Sequence, residues 1–495
     1  MRTQQQWMDL RQQHNIEGRA FINGQYQDSL SGETFEVINP ATEEVIAYVA
    51  RCSDQDAIAA VEYAKGAFRS GEWAGQSPAA RKQVLLKLAD LIEQEKETLA
   101  LLETLDTGKP ISHSYQTDIP GAAACLRWYA EAIDKVYGEV ATTEHNVHAY
   151  ITHQAVGVVT AIVPWNFPLW LACWKIAPAL AAGNSVILKP SEKSPLTAIF
   201  LGQLAQQAGL PNGVFQVLPG FGHEVGDALA RHHDVDCIAF TGSTRVARQL
   251  MLCSGESNMK RVWAEAGGKN ANIVFADYKN LDKAAQETAA GCFYNQGEVC
   301  VAATRLLVHE SIKEEFVRKV IAASEAFTPK DPLDPSSSMG ALIDQEHKNK
   351  VLSYIRQGVE EGATQLCGGS VQCKGAFVSP VILDNVTNDM TVAQEEIFGP
   401  VLCVIPFSTE EEAIQIANDS PYGLGAALWT SDLDRAHRVA RKLEAGSVWI
   451  NNYNEGDMTV PFGGFKQSGN GRDKSLHALE KFTEVKTTWL RLGSY

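Results

Sequence analysis

Val156-GVVTAIVPWNFPLWLAC-Trp174 decides how this chain folds. It carries no charge, so it must be weighed as a membrane span. Its breakers argue otherwise: Pro164, Asn166 and Pro168 interrupt its centre, Gly157 and Thr160 dilute its start, and Pro178 follows. Proline lacks an N–H and disfavours a helical residue before it, so the run divides into a buried strand, a turn and a helix. Further apolar runs follow at NSVILK (184), VFQVL (214) and DCIAF (236), with helical patterns between them: one running toward Gly183, one from Ser194 to Gly209 and Pro211, one after Gly222. Unbroken apolar strands joined by crossover helices specify a parallel sheet covered on both faces. That is a doubly wound nucleotide-binding architecture.

A second cycle starts near Asn270, with NIVF, a helix toward NQGEVC, TRLLV, a helix from Ser311, VLCVI, a helix from Ser408, LGAALW and SVWI. It predicts a second α/β domain. Ser311 with Glu314 and Ser408 with Glu411 have capping-box spacing. Upstream, Val84, Leu88, Leu91, Leu99 and Leu102 lie on the apolar face of a predicted amphipathic helix ending near Gly108. Over 495 residues no low-complexity linker intervenes, so the domains are expected to pack closely around a shared cleft.

Composition narrows the function. With 43 basic and 59 acidic residues the net charge is −16, which offers no cationic field to a nucleic-acid backbone or an anionic membrane. The ten cysteines are dispersed without a CxxC pair, so neither a disulfide framework nor a zinc site is expected. The N-terminus carries no apolar signal-like run, and a cytoplasmic setting is the expectation.

Chemistry is suggested by short stretches, each with a plain alternative. Gly220-Phe221-Gly222 followed by Gly226 is only a loose match to a dinucleotide fingerprint. Phe240-Thr241-Gly242-Ser243-Thr244 turns a strand into a helix whose free amides suit a phosphate, or Ser243 simply caps it. In Lys189-Pro190-Ser191-Glu192 the acid can accept hydrogen bonds from a ribose 2′-hydroxyl, which favours NAD over NADP. Cys300, ending NQGEVC, sits beyond a helix and is either a nucleophile or another core thiol. Glu265 lies in the apolar VWAEAGGK, where a buried carboxylate must be paired or functional. Asn166 in PWNFP either caps its turn or donates into a cleft.

Together, PWNFP (164–168), KPSE (189–192), FTGST (240–244), EAGGK (265–269), NQGEVC (295–300), EEIFGP (395–400) and PFGGFKQSG (461–469) resemble the NAD(P)-dependent aldehyde dehydrogenase superfamily over nearly the whole chain. Within it, LLETLDTGKPI, RWYAEAIDKVYGEV and GNGRDKSLHALEKFTE are most similar to bacterial enzymes of putrescine breakdown that oxidise γ-glutamyl-γ-aminobutyraldehyde and related aminoaldehydes. The resemblance implies a dinucleotide-binding domain from 1–134 and 153–262, a catalytic domain from 263–466, and oligomerisation segments at 135–152 and 467–495 that form dimers or a dimer of dimers.

It also implies roles. Cys300 would attack the aldehyde, Asn166 and the Cys300 N–H would stabilise the oxyanion, Glu265 would activate water, and Lys175 would join a proton path. Pro164, Trp165, Lys189, Glu192, Gly222, Phe240, Ser243, Gly267, Glu396 and Phe398 would line the site for NAD, with NADP as the alternative, and no metal is implied. Phe167, Trp174 and Phe462 fall near tunnel positions, and Glu298, Asp457, Glu455 and Asp118 are acids that could attract an amine.

The sequence departs from the family pattern at Ala247, Ala266, Gln154-Ala155 and Asp473, the last standing where glutamate is common. A CoA-acylating relative is disfavoured by the retained Glu265, and a non-catalytic lens-type relative by the joint presence of Asn166, Glu265 and Cys300. A cofactor-free thiol hydrolase would need a histidine partner, and none of the twelve histidines has an informative spacing to Cys300.

Overall fold

The computed structural model describes residues 1–493. The deciding stretch folds as strand β1 (Val158–Ile162), a turn, and helix α1 (Pro168–Ala182). Pro168 occupies the first turn of α1, where a missing N–H costs nothing. Pro178 does not end α1. It lies inside the helix, which continues to the left-handed cap at Gly183. No helix among the described residues is long and apolar enough to cross a membrane.

From there β2 (Ser185–Lys189), α2 (Leu196–Ala208), β3 (Phe215–Val217), β4 (Cys237–Thr241), α3 (Thr244–Gly255) and β5 (Arg261–Glu265) follow the expected alternation. They build a seven-stranded sheet in the order β5-β4-β1-β2-β3, extended at one edge by the antiparallel hairpin Ala20–Ile22 and Gln25–Gln27. The five strands β5-β4-β1-β2-β3 are mutually parallel. Every residue of β1 and β2 is buried, which is why both read as unbroken apolar runs.

Strand order reverses at β1: the chain moves outward to β2 and β3 on one side, then returns to β4 and β5 on the other. In an open parallel sheet this reversal leaves a crevice at the carboxyl ends of the strands. The turn after β1, the Lys189 end of β2 and the Gly242-Ser243 turn after β4 all open there.

The second cycle gives a second seven-stranded sheet. It contains β6 (Ala271–Val274), β7 (Arg305–His309), β8 (Val378–Asp384), β9 (Val401–Phe407), β10 (Gly425–Trp429) and β11 (Ser447–Ile450), with Thr364–Ser370 antiparallel at its edge. Each sheet has its own apolar clusters. Glu265 ends β5, and EAGGK carries the chain from one sheet to β6 of the other. A three-stranded sheet from Glu139–Ala141, Val147–Ala155 and Thr483–Arg491 stands apart from both.

Several local expectations shift. The helix expected through Leu102 is two helices, Pro78–Gln94 and Lys96–Thr107, divided at Glu95, and only the second reaches Gly108. The capping role assigned to Ser408 belongs to Thr409, whose hydroxyl accepts the Glu412 N–H at 3.2 Å while Glu412 returns a bond to the Ser408 N–H at 2.8 Å. The Ser311 capping box does not form. A short 3-10 turn, Glu310–Ile312, precedes the helix there, and the His309 side chain accepts from the Ser311 N–H. In both places a neighbouring acceptor reaches the free amides better than the residue picked by spacing.

Candidate active site

Three loops converge where the two sheets meet. The first, after β1, carries Asn166. Its amide donates to the Glu298 carbonyl at 2.8 Å, while its own carbonyl oxygen on the side chain has no partner. The second follows helix α4 (Leu281–Phe293), where Asn295, Gln296 and Gly297 take consecutive left-handed conformations at φ 48°, 58° and 73°. Such backbone in asparagine and glutamine is strained and is kept only where the surroundings fix it. They do so here: Asn295 donates to the backbone oxygens of Asn166 and Glu298, both at 3.3 Å, and Gln296 accepts the Gly340 N–H at 3.0 Å. A side chain at Gly297 would collide with the backbone of Gly399, so PWNFP, NQGEVC and EEIFGP lock together around it. The product of this reversal is Cys300, half-buried, its carbonyl held by the Asn270 amide at 2.9 Å.

The third loop brings Glu265. It is 4% exposed, and neither carboxylate oxygen has a hydrogen-bond partner. Burial and the nearby Asp473 push its carboxyl well above the ordinary range, against the pull of Lys175 and Lys481. Burial, with Glu396 and Glu265 nearby, likewise pushes the Cys300 thiol up to about 12, while the amides of Val301 and Cys300 draw it down. Cys300 and Glu265 line one cavity of about 1130 Å³. A soft sulfur and an unpaired carboxyl sharing a cavity can pass an acyl group to sulfur and then to a deprotonated water.

Lys175 lies behind Glu265 on α1. It contacts Asp473 at 2.5 Å, and Lys481 contacts the other oxygen of the same carboxylate. All three are buried. Burial would raise Asp473, but the two ammonium groups hold it below the usual carboxylate range. Aspartate at 473, one methylene shorter than the glutamate the family pattern led one to expect, pairs with Lys175 in this fold.

Aromatic rings form one wall: Phe167 against Trp170, Trp170 against Trp174, and Trp174 against Phe462, with centroids 6.1, 6.1 and 5.3 Å apart. Asp457 and Glu455 also face this cavity. Two acids do not. Glu298 is 2% exposed and turned away from the cavity, its carboxylate accepting the Ile343 N–H at 2.9 Å. Asp118 is buried against Lys109 at 2.6 Å, and that ammonium sits 4.2 Å from the centre of the Phe167 ring. Neither can meet a substrate amine. Sequence reasoning did not single out Lys474, Tyr453 and Thr241, which also line the cavity; Thr241 and Lys474 lie inside stretches quoted for the family resemblance, but nothing local distinguishes them from their neighbours there.

On the opposite side lies the crevice at the strand reversal. Trp165 packs edge-on against Phe398 at 5.2 Å, beneath the turn after β1. Lys189 ends β2 and is 3.3 Å from Glu192. Phe240 is buried in β4, and Ser243 caps α3, its hydroxyl oxygen accepting the Val246 N–H at 3.3 Å. Glu396 accepts the Gly268 N–H at 3.1 Å and is pushed up to about 7 by burial. Any side chain at Gly267 would overlap the Glu396 carboxylate, whereas Gly222 faces open space. Half-exposed carboxylates, an aromatic pair and bare glycine backbone at a strand reversal suit the riboses and phosphates of a dinucleotide.

The aldehyde dehydrogenase family profile matches residues 26–488. The NADP/NAD-dependent aldehyde dehydrogenase PuuC of Escherichia coli is 60% identical over 486 residues, covering 98% of each chain. Among solved structures, a γ-glutamyl-γ-aminobutyraldehyde dehydrogenase from Burkholderia cenocepacia superposes with a TM-score of 0.98 at 54% identity, covering 99% of this chain and 100% of that one. A mutant of the P. syringae indole-3-acetaldehyde dehydrogenase AldA, in complex with NAD+ and IAA, superposes with a TM-score of 0.99 at 57% identity, covering 99% and 100%. The chain belongs to the aldehyde dehydrogenase family.

Proposed function

We propose that this enzyme oxidises an aminoaldehyde, of which γ-glutamyl-γ-aminobutyraldehyde is the leading example, to its carboxylic acid with NAD, and with NADP as a second cofactor. The observation that carries the reading is Glu265: a carboxyl buried with both oxygens unpartnered, beside Cys300, in a cavity of about 1130 Å³. A buried polar group without partners is costly unless a reactant completes it.

Cys300 attacks the carbonyl carbon, and its sulfur carries the acyl group. The Asn166 side chain and the Cys300 N–H donate to the oxyanion. Asn166 is already oriented by its bond to the Glu298 carbonyl, so little reorganisation is needed as charge develops. NAD(P), when bound, supplies the hydride acceptor. Pro164, Trp165, Lys189, Glu192, Gly222, Phe240, Ser243, Gly267, Glu396 and Phe398 would hold it, Glu396 toward one ribose and Lys189 with Glu192 toward the other. The Lys189 ammonium 3.3 Å from Glu192 offsets that acid's charge, which supports tolerance of a 2′-phosphate. Glu265 then takes a proton from the water that releases the acid, with Lys175 and Asp473 behind it as a buried ionic relay.

The substrate reading rests on Asp457 and Glu455 at the cavity, on the aromatic wall of Phe167, Trp174 and Phe462, and on likeness to a solved relative whose name carries that aldehyde. The proposed division is 1–134 with 153–262, then 263–466, with 135–152 and 467–495 as oligomerisation segments; residues 494–495 lie outside the described ones. Exposed Val140, Val485, Trp489 and Leu490 on the three-stranded sheet support a homo-oligomer. Steady-state NADH formation across aldehydes of equal length, cationic and neutral, tests the substrate assignment: a preference for the aminoaldehyde is expected, and equal kcat/KM would overturn it.

A further inference from the structure

One charge in the cavity is unused by this chemistry. Lys474 lines the same cavity as Cys300, and its ammonium lies 4.7 Å from the Trp174 ring centre and 5.5 Å from that of Phe462. No carboxylate stands within ion-pair distance of it, and no acceptor hydrogen-bonds it, among the described residues. Its neighbour Asp473 is already taken by Lys175 and Lys481. Cation–π contact offsets only part of the loss of water around an ammonium.

The backbone spends strain to put it there. Lys474 and Ser475 are consecutive left-handed residues, at φ 59° and 49°, and neither is glycine. The loop is clamped on both sides: the Ser475 N–H donates to the Met458 carbonyl at 2.9 Å, its carbonyl accepts the Tyr129 hydroxyl at 3.1 Å, and Asp473 and Phe462 exchange backbone bonds at 2.7 and 2.8 Å. An ordinary surface lysine requires none of this. Asp457, at the same cavity, carries the opposite charge, its carboxylate accepting from the Thr459 N–H and hydroxyl.

We infer that Lys474 is a specificity-determining residue that binds a carboxylate at the far end of the aldehyde, so that the preferred substrate carries an amino-acid head group, its carboxylate on Lys474 and its ammonium toward Asp457. The inference rests on the aminoaldehyde reading above and sharpens it. A simple diamine-derived aldehyde would satisfy Asp457 and leave Lys474 unpaired; a γ-glutamyl head satisfies both. A charge-assisted bond to a partly desolvated ammonium is among the stronger polar contacts available.

The test compares γ-glutamyl-γ-aminobutyraldehyde with its α-carboxamide analogue, a pair of the same shape differing in one charge. For each, kcat/KM is measured with wild type, Lys474→Met and Lys474→Arg. The ratio of the two values is expected to favour the carboxylate by about tenfold or more in wild type, to collapse toward one in Lys474→Met, and to recover to within about threefold in Lys474→Arg. Because it is a ratio within one protein, general damage to the fold cancels. A second arm titrates the product acid, γ-glutamyl-γ-aminobutyrate, into each protein by calorimetry, with Kd expected to weaken about tenfold in Lys474→Met. An unchanged ratio or an unchanged Kd overturns the role of Lys474. Absence of NADH formation by wild type with any aldehyde would instead strike the dehydrogenase reading, and the binding arm would still decide Lys474.

Discussion

Two glutamates lie near Cys300, the proposed nucleophile, and the regions that hold them treat them in opposite ways. Glu265, at the end of β5 in the first sheet, is buried with both oxygens unpartnered; Glu298, two residues before Cys300, is equally buried but accepts the Ile343 N–H and has the His347 ring 3.8 Å away. Burial pushes both carboxyls well above their usual range. A raised pKa therefore does not separate a working group from a structural one. What separates them is whether the surrounding protein has already supplied their hydrogen bonds.

This contrast can be broken by experiment. Cys300→Ala is expected to lower kcat by at least about 10³-fold while dinucleotide still binds by fluorescence titration, because removing the sulfur removes the covalent route. Next, Glu265→Gln should cost about 10²–10⁴-fold in steady-state turnover yet leave one rapid round of NADH formation, seen as a stopped-flow burst. Asn166→Ala should cost about 10²–10³-fold in kcat, with KM changing far less, as expected for a donor used mainly when the oxyanion forms.

Acidity gives a smaller lever. In the proposed mechanism Cys300 reacts as thiolate and Glu265 as carboxylate, and both pKa values are raised, so each is mostly protonated at low pH. Over the range where one of these groups titrates, kcat/KM is expected to rise with pH, by up to about tenfold per unit, and a flat profile across neutral pH would contradict the assignment. Least affected is catalysis in Glu298→Ala. That change orphans the Ile343 N–H and should cost about 1–3 kcal/mol of stability, read as a lower thermal midpoint, with a smaller effect on kcat than Glu265→Gln. If Glu298→Ala instead abolished the chemical step while Glu265→Gln did not, the two regions would have to exchange roles.

The same contrast explains what the sequence disclosed. Cys300, Glu265 and Asn166 stood out as candidates because each lies in a short stretch just after a helix or at a strand's end, where turn residues, glycines and a misplaced polar group are local signals, but each kept a plain alternative until the family resemblance joined the stretches. The parallel sheet was legible for a similar reason: β1 and β2 are buried on both faces and so read as continuous apolar runs. Glu298 misled because nearness along the chain says nothing about direction. After three left-handed residues its side chain leaves on the far side from Cys300. Lys474 was not singled out; within GNGRDKS it reads as a solvated charge, and only the fold places Trp174 and Phe462 beside it. Helix ends were blurred where alternatives compete locally, as at Glu95 and Thr409.

The most direct test is mass spectrometry of Glu265→Gln quenched during its first turnover with the γ-glutamyl aldehyde and NAD. The expected result is the acyl mass on the peptide containing Cys300, persisting because water is not activated. Continued formation of carboxylic acid with no adduct on that sulfur would contradict the assignment of the two residues.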